Sequence, residues 1–111
     1  MPEKLFRENM DTTVLKNMAN IAPQAANLLK VIGHDGRLMI LCHLASGEKS
    51  VTELEELLSA RQAAVSQQLS RLRLEGLIES RREGKSIYYN LSDNRARQIM
   101  CTVYNLFYQE S

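Results

Sequence analysis

Apolar positions recur along most of this chain at helical spacing, and in one late stretch they give way to a strand-like pattern. In the first third, Val14, Leu15, Met18, Ile21, Ala25, Leu28, Leu29 and Ile32 repeat at three- and four-residue intervals, which predicts a helical region from about Asp11 to Ile32. Pro23 lies inside it. Proline lacks a backbone donor and crowds the preceding turn, so a kink is expected there, or a restart with Pro23 in the first turn. Gly33-His34-Asp35 breaks the pattern, and a second helix is expected from about Asp35 to Ser46, with Leu38, Met39, Leu41, Cys42 and Leu44, ended by Gly47. Ser50-Val51-Thr52-Glu53 matches a capping box, in which serine and glutamate each satisfy a backbone N–H left open at a helix start. It opens a third helix, Val51 to about Leu58, with Leu54, Leu57 and Leu58 inward. Ser59-Ala60-Arg61 is the turn, and Ser59 and Gln62 have the spacing of a second, weaker capping box.

The fourth helix, from Gln62, has two unlike faces. Val65, Leu69 and Leu72 fall within about 60° of one another at 100° per residue. Ala63, Ser66, Gln67, Ser70 and Arg71 point the other way. Such a face suits the major groove of DNA: amides pair with adenine, arginine with guanine, and Ala or Ser lets the helix backbone come close. Gly76 stops the helix. From Leu77 to Leu91, two β-rich runs flank a tip containing Glu83-Gly84, which is a hairpin signal. Arg81, Arg82 and Lys85 crowd that tip. A basic hairpin directly after a polar-faced helix reads as the wing of a winged helix-turn-helix, with the helix in the major groove and the hairpin on the phosphate backbone.

Ser92 is expected to cap a last helix, about Asp93 to Tyr108, with a stripe of Ile99, Met100, Val103, Leu106 and Phe107 and with Tyr104 and Tyr108 beside it. The middle helices and the hairpin already supply a core. Apolar helices at both ends would leave a sizeable exposed patch on a monomer, so a two-fold homodimer is expected. The expected fold is therefore mainly α with a small β-hairpin, a winged helix-turn-helix that dimerises through its N- and C-terminal helices. Residues 1–111 form a single domain in this reading. Residues 1–32 and 93–111 are the dimerisation helices, 51–75 the helix-turn-helix and 77–91 the wing.

Composition narrows the partner. The hydrophobic fraction is 44%. No apolar run approaches the roughly 20 residues that span a bilayer, and no signal-peptide core follows the first charged residues, so a cytoplasmic protein without membrane contact is expected. The net charge is only +1. Its distribution is uneven: residues 61–97 hold eight Lys/Arg against four acids, and the remainder six against nine. Positive charge thus gathers on the proposed reading unit, as phosphate binding requires. No Gly-rich phosphate loop, zinc-hydrolase motif or nucleophile elbow appears, and Glu53, Glu55 and Glu56 read as a solvated helix face, so neither an enzyme nor a cofactor is expected. The DNA-binding residues expected are Gln62, Ala63, Ser66, Gln67, Ser70 and Arg71 on the helix and Arg81, Arg82 and Lys85 on the wing, with double-stranded operator DNA as partner.

Several motifs agree in order and spacing. They are Leu28-Leu29-Lys30-Val31-Ile32-Gly33-His34 with Arg37-Leu38-Met39-Ile40-Leu41; Val51-Thr52-Glu53-Leu54; Ala64-Val65-Ser66-Gln67-Gln68-Leu69 with Leu72-Arg73-Glu75-Gly76-Leu77-Ile78; and Arg82-Gly84-Lys85-Ile87-Tyr88-Tyr89. Over these residues the chain resembles the ArsR/SmtB family of bacterial winged-helix repressors. The resemblance implies a dimeric repressor that holds operator DNA and releases it when an inducer arrives.

The inducer is less defined. Many members sense metals through a Cys-x-Cys pair, where this chain has only Leu41-Cys42-His43-Leu44, or through Asp and His pairs on the last helix, which here has Asp93 and no histidine. With two Cys and two His in all and nothing clustering them, no metal site is assigned. The surroundings of Cys42 resemble the thiol-based branch, whose members respond to sulfide-derived persulfides or to oxidants, so Cys42 and Cys101 are the candidate redox-sensing residues and reactive sulfur species or an oxidant the candidate inducer. In that branch the second cysteine lies where this chain has Tyr108. Cys101 stands seven residues earlier, about 10 Å along the helix axis. A disulfide needs Cα atoms within about 7 Å. Cys42 therefore reaches Cys101 only if the last helix is set differently, if it slides, or if added sulfur atoms lengthen the bridge. Arg37 and His43 are the cations placed to favour a thiolate on Cys42. The alternatives are two cysteines that are merely small buried hydrophobes, or a repressor whose effector is a metal ion or another ligand.

Overall fold

The helices and the hairpin fall where the apolar pattern put them, and one short strand joins them unannounced. The computed structural model describes residues 11–108; residues 1–10 and 109–111, the outer ends of the two expected dimerisation segments, lie outside the described residues. The elements follow as α1 (Thr12–Ile32), α2 (Asp35–Ala45), β1 (Lys49–Ser50), α3 (Val51–Leu58), α4 (Gln62–Leu74), β2 (Ile78–Glu83), β3 (Ser86–Leu91) and α5 (Asn94–Phe107). Contacts divide the chain into two units, Met1–Lys30 and Val31–Ser111. No helix among the described residues is long and apolar enough to cross a membrane.

The first unit holds most of α1. The Asp11 carboxylate accepts from the Val14 N–H at 3.0 Å, capping the helix start. Of the kink or restart expected at Pro23, the restart does not occur: α1 is continuous over 21 residues with Pro23 inside it. Proline forfeits one backbone hydrogen bond, and the strong helix formers after it, Ala25, Ala26, Leu28 and Leu29, carry the helix on.

The second unit is built around one core. Val31, Ile32, Ile40, Leu41, Leu44, Leu54, Val65, Leu69, Leu72, Leu77, Ile78, Ala96 and Met100 are buried. The inward line of α4 is therefore Val65, Leu69 and Leu72, as its periodicity requires. In α3 the burial is narrower than expected: Leu54 is fully buried, whereas Leu57 is 50% exposed. Two turns of helix present one inward line, and Leu57 stands at its flank. The capping box of α3 forms as read. Ser50 Oγ accepts from the Glu53 N–H at 3.1 Å, and the Glu53 carboxylate accepts from the Ser50 N–H at 2.9 Å. The second box does not form, because Arg61 is the N-cap of α4 and makes no side-chain capping bond.

The turn before α4 is tight. Ser59 adopts a left-handed conformation with φ 51°, which ends α3 and lets α4 start three residues later. Gly76, with φ 77°, ends α4, and the Leu77 N–H reaches back to the Leu72 carbonyl at 3.1 Å. The hairpin follows directly. β2 and β3 pair antiparallel from Ile78↔Leu91 to Glu83↔Ser86, leaving Gly84-Lys85 as a two-residue turn with Gly84 at φ 62°. β1 adds on the far side of β3, with Lys49 opposite Tyr89 and Ser50 opposite Tyr88, so the sheet order is β1-β3-β2.

Ser92 does not cap the last helix. Asp93 is the N-cap of α5, its carboxylate accepting from the Arg95 N–H at 2.8 Å. The Ser92 hydroxyl instead donates to the Gly76 carbonyl at 3.0 Å, and its N–H to the Leu77 carbonyl at 3.0 Å. A carbonyl freed by the end of α4 claims the serine and ties the end of the hairpin to the end of α4.

Candidate nucleic-acid interface and thiol pair

Burying Val65, Leu69 and Leu72 turns the opposite side of α4 outward. Ala63, Gln67 and Ser70 are exposed there and Ser66 is half-buried, while Gln62, the first residue of the helix, is exposed nearer the apolar side. Arg71 lies along the helix, its Nε 3.5 Å from the Glu75 carboxylate one turn on. The structure thus gathers Ala63, Ser66, Gln67 and Ser70 on one outward face, with Arg71 at its edge and Gln62 at the helix start.

The three cations of the wing separate into two kinds. Arg81 is committed to the protein: its Nε and Nη2 donate to the two oxygens of Glu48, each at 2.7 Å. The same guanidinium lies 4.9 Å over the Tyr88 ring and 3.6 Å from Glu83. Glu48 is held below the usual carboxylate range, chiefly by the hydrogen bonds from Arg81. Arg82 and Lys85 are exposed. Strand alternation sends Arg81 toward Glu48 and its neighbour Arg82 to the other face. Glu48, which sequence reasoning passed over, anchors the wing to the segment after α2, and no local motif announces it.

Other charges of the basic stretch are also spent internally. Arg95 pairs with Asp93 at 2.6 Å, and Arg97 donates to the Ala45 carbonyl at 3.0 Å. Arg61 at the start of α4 and Arg73 near its end are exposed. Both flank the outward face of α4 and were not among the residues named from sequence.

Behind that face, Arg37 joins two elements. Its Nε donates to the Val31 carbonyl at 2.6 Å and its Nη1 to Gln68 Oε1 at 3.2 Å. Gln68 is the neighbour of Gln67, so a residue of α2 fixes a side chain on the reading helix.

Arg37 therefore does not serve Cys42. The Cys42 thiol meets Met100, Sγ to Sδ 3.6 Å, and partial burial pushes it above its ordinary value rather than toward a thiolate. The expected cationic activation is not what sets this thiol. Cys42 and Cys101 are both free, and each keeps an exposed surface. The contact with Met100 puts Cys42 at the level of Cys101, its chain neighbour. Tyr108 lies eight residues on, about 12 Å along the axis, stacked on Tyr104 with ring centroids 5.1 Å apart. Among the described residues no group of three or more His, Cys, Asp or Glu is placed to hold a metal ion.

Comparison with known proteins shows the family and the fold. Residues 34–80 match the family described as bacterial regulatory protein, arsR family. A relative from Agrobacterium fabrum, named biofilm growth-associated repressor, is 44% identical over 93 residues, 84% of this chain and 80% of its own length. The crystal structure of the transcriptional repressor BigR from Xylella fastidiosa is similar with a TM-score of 0.81 at 41% identity, covering 86% of this chain and 97% of that one. A homodimeric winged helix-turn-helix DNA-binding domain from Mycobacterium bovis, described as a possible ArsR-family regulator, is similar with a TM-score of 0.70 at 29% identity, covering 80% of this chain and 82% of that one.

Proposed function

The chain belongs to the arsR family of bacterial regulatory proteins, and from that premise we propose that it is a homodimeric repressor whose thiols govern its hold on operator DNA. It is a winged helix-turn-helix DNA-binding regulator, not an enzyme. The observation that carries the DNA reading is the exposed row of Ala63, Gln67 and Ser70 beside a wing whose Arg82 and Lys85 stand in solvent. The amide and hydroxyl groups approach base edges, Arg71 a base or the adjacent phosphate, and the wing cations the phosphate backbone.

The dimer places two such helices one DNA turn apart, roughly 34 Å, on an inverted repeat. Its interface includes the end of α5, where Leu106, Phe107 and Tyr108 are 72%, 78% and 66% exposed. A homodimeric relative of the same fold supports this reading. A chain of this kind works in the cytoplasm.

The finer part concerns the signal. The contact of Cys42 with Met100 brings the Cys42 thiol to the stretch of α5 that carries Cys101. The Cys101 side chain points about 100° round the helix from Met100, so a two-thiol switch requires α5 to turn or added sulfur to lengthen the bridge. Oxidation removes two protons and two electrons from the pair, passed to the oxidant, as a sulfur–sulfur bond forms. A persulfide donor RSSH gives the longer bridge in two steps. Each thiolate takes the outer sulfur of one donor and releases RSH. The outer sulfur of one cysteine persulfide then attacks the inner sulfur of the other, expelling hydrosulfide and leaving a trisulfide. Either bridge pulls α2 against α5 and disturbs the Arg37–Gln68 bond that steadies the reading helix.

One experiment tests both parts. Operator is selected from random duplexes, and binding is followed by anisotropy for wild type, Cys42→Ser and Cys101→Ser, with and without a persulfide donor or peroxide. Wild type is expected to bind and to release on treatment, and both variants to bind and stay. Release that survives loss of Cys101 removes the two-thiol switch, and absence of binding to any duplex at low salt removes the DNA reading.

A further inference from the structure

A cleft of about 360 Å³ opens between the start of α3, the start of α4 and the turn of the wing, lined by Ser50, Val51, Thr52, Gln62, Lys85, Ser86 and Ile87. Its chemistry is mixed in a particular way. Lys85 brings a positive charge, Thr52 and Ser86 hydroxyls and Gln62 an amide, while Val51 and Ile87 supply two apolar edges. The Ser50 oxygen already serves the capping box, and the Glu53 carboxylate is drawn to the Ser50 N–H.

We infer that this cleft seats one sugar-phosphate unit of the DNA strand that runs between the reading helix and the wing, with Thr52 and Ser86 as phosphate-contacting residues. The inference rests on the DNA reading above and adds to it a site and two residues outside the reading face. A helix in the major groove and a wing over the neighbouring minor groove are separated by one strand, because a single backbone divides the two grooves. That strand must cross the gap between Gln62, the first residue of α4, and Lys85 and Ser86 at the wing turn. The lining matches what a strand offers: anionic ester oxygens for the ammonium, hydroxyls and amide, and deoxyribose faces for Val51 and Ile87. Small side chains at 50, 52 and 86 keep the gap open.

The test uses the full chain and two duplexes, one operator and one random. Thr52→Val and Ser86→Ala each remove a hydroxyl and no charge. Each is expected to weaken both duplexes by the same factor, roughly 3- to 10-fold, leaving the operator-to-random ratio and the salt slope unchanged. Lys85→Gln is expected to weaken both and to lower the slope by about 1. A scan of methylphosphonates along the operator identifies the phosphate. At one position the neutral linkage weakens wild type and weakens the Thr52→Val, Ser86→Ala double variant much less. Thermal melts by circular dichroism confirm that each variant folds. Wild-type affinity in the hydroxyl variants, losses confined to operator, or no linkage that couples to them overturns the cleft assignment while leaving the DNA reading in place. Displacement of duplex by a micromolar nucleoside monophosphate, sensitive to the same variants, makes the cleft a small-anion pocket and also overturns it. Failure of wild type to bind any duplex removes both readings together.

Discussion

The sulfur atoms of Cys42 and Met100 meet at 3.6 Å, so α2 and α5 touch through a thiol and a thioether at the level of Cys101. Partial burial raises this thiol above its ordinary value. The thiolate is the nucleophile, so Cys42 should alkylate slowly at neutral pH, with a rate that climbs until the pH passes the usual thiol range. Met100→Ala opens the contact and should shift that profile to lower pH. Iodoacetamide labelling read by peptide mass spectrometry gives the profile. A midpoint below the usual thiol value in wild type contradicts the expectation.

Glu48 and Arg81 give the wing a different sensitivity. The carboxyl of Glu48 is depressed by its partner in the folded chain and returns to its ordinary value on unfolding. Its contribution to stability is therefore present above the ordinary carboxylate value and is lost as the pH falls through the depressed folded one. Glu48→Gln should flatten the acid limb of stability below about pH 4.5 and leave neutral-pH stability nearly unchanged, since the pair is solvent-exposed. Urea melts from pH 7 to 3 read this directly. An unchanged acid limb in the variant shows that the pair does not hold the wing.

Arg37 is the prediction that geometry makes about the reading helix. One guanidinium spans the Val31 carbonyl and the Gln68 amide, donating through two different nitrogens. Arg37→Ala strips a donor from both, should cost about 1–3 kcal/mol of stability and, by freeing Gln68 beside Gln67, should lower operator discrimination. Arg37→Lys keeps the charge but has one nitrogen, so it should not restore operator discrimination. Full recovery by lysine in a binding titration means that charge alone matters at this position.

These cases mark where the sequence was readable. The capping box of Ser50 and Glu53, the two faces of α4 and the Gly84-Lys85 turn are all set by residues within four positions of one another, so local spacing reveals them. Glu48 with Arg81 and Cys42 with Met100 join residues 33 and 58 positions apart, and nothing in either neighbourhood marks the partner. Ser92 shows the same limit in miniature. It has the composition and place of a cap, but the Gly76 carbonyl, brought near only by the fold, takes its hydroxyl. The candidate base-reading residues were legible because a helix with one apolar line leaves the rest of its surface to choose. Lys85 was legible as a wing cation, but not the cleft it shares with Thr52 and Ser86, because that cleft exists only when three separate elements meet.

Gln67 is exposed on the outward face of α4, one residue from the side chain that Arg37 holds. Its amide can give and accept one hydrogen bond each to adenine in the major groove. Gln67→Ala should reduce the free-energy gap between operator and random duplex by about 1–3 kcal/mol, with binding to random duplex unchanged. Competition titrations at fixed salt measure the gap. Equal weakening on both duplexes makes Gln67 a backbone contact instead.

The last turn of α5 should decide whether the chain works as a pair. Leu106 and Phe107 are 72% and 78% exposed, so a charge placed there leaves the protomer core untouched. Phe107→Glu puts a like charge on both sides of a two-fold contact and desolvates it without a partner. The variant is expected to fold, by circular dichroism, and to elute with the mass of one chain in light scattering. Each reading helix then binds its half-site alone. Affinity for the whole operator should fall by roughly 10²–10⁴-fold, the advantage that linking two sites confers, while affinity for an isolated half-site stays as it was. A variant that keeps a dimer mass moves the interface away from this end of α5, toward residues 1–32. A monomer that keeps full operator affinity shows that a single protomer suffices for recognition.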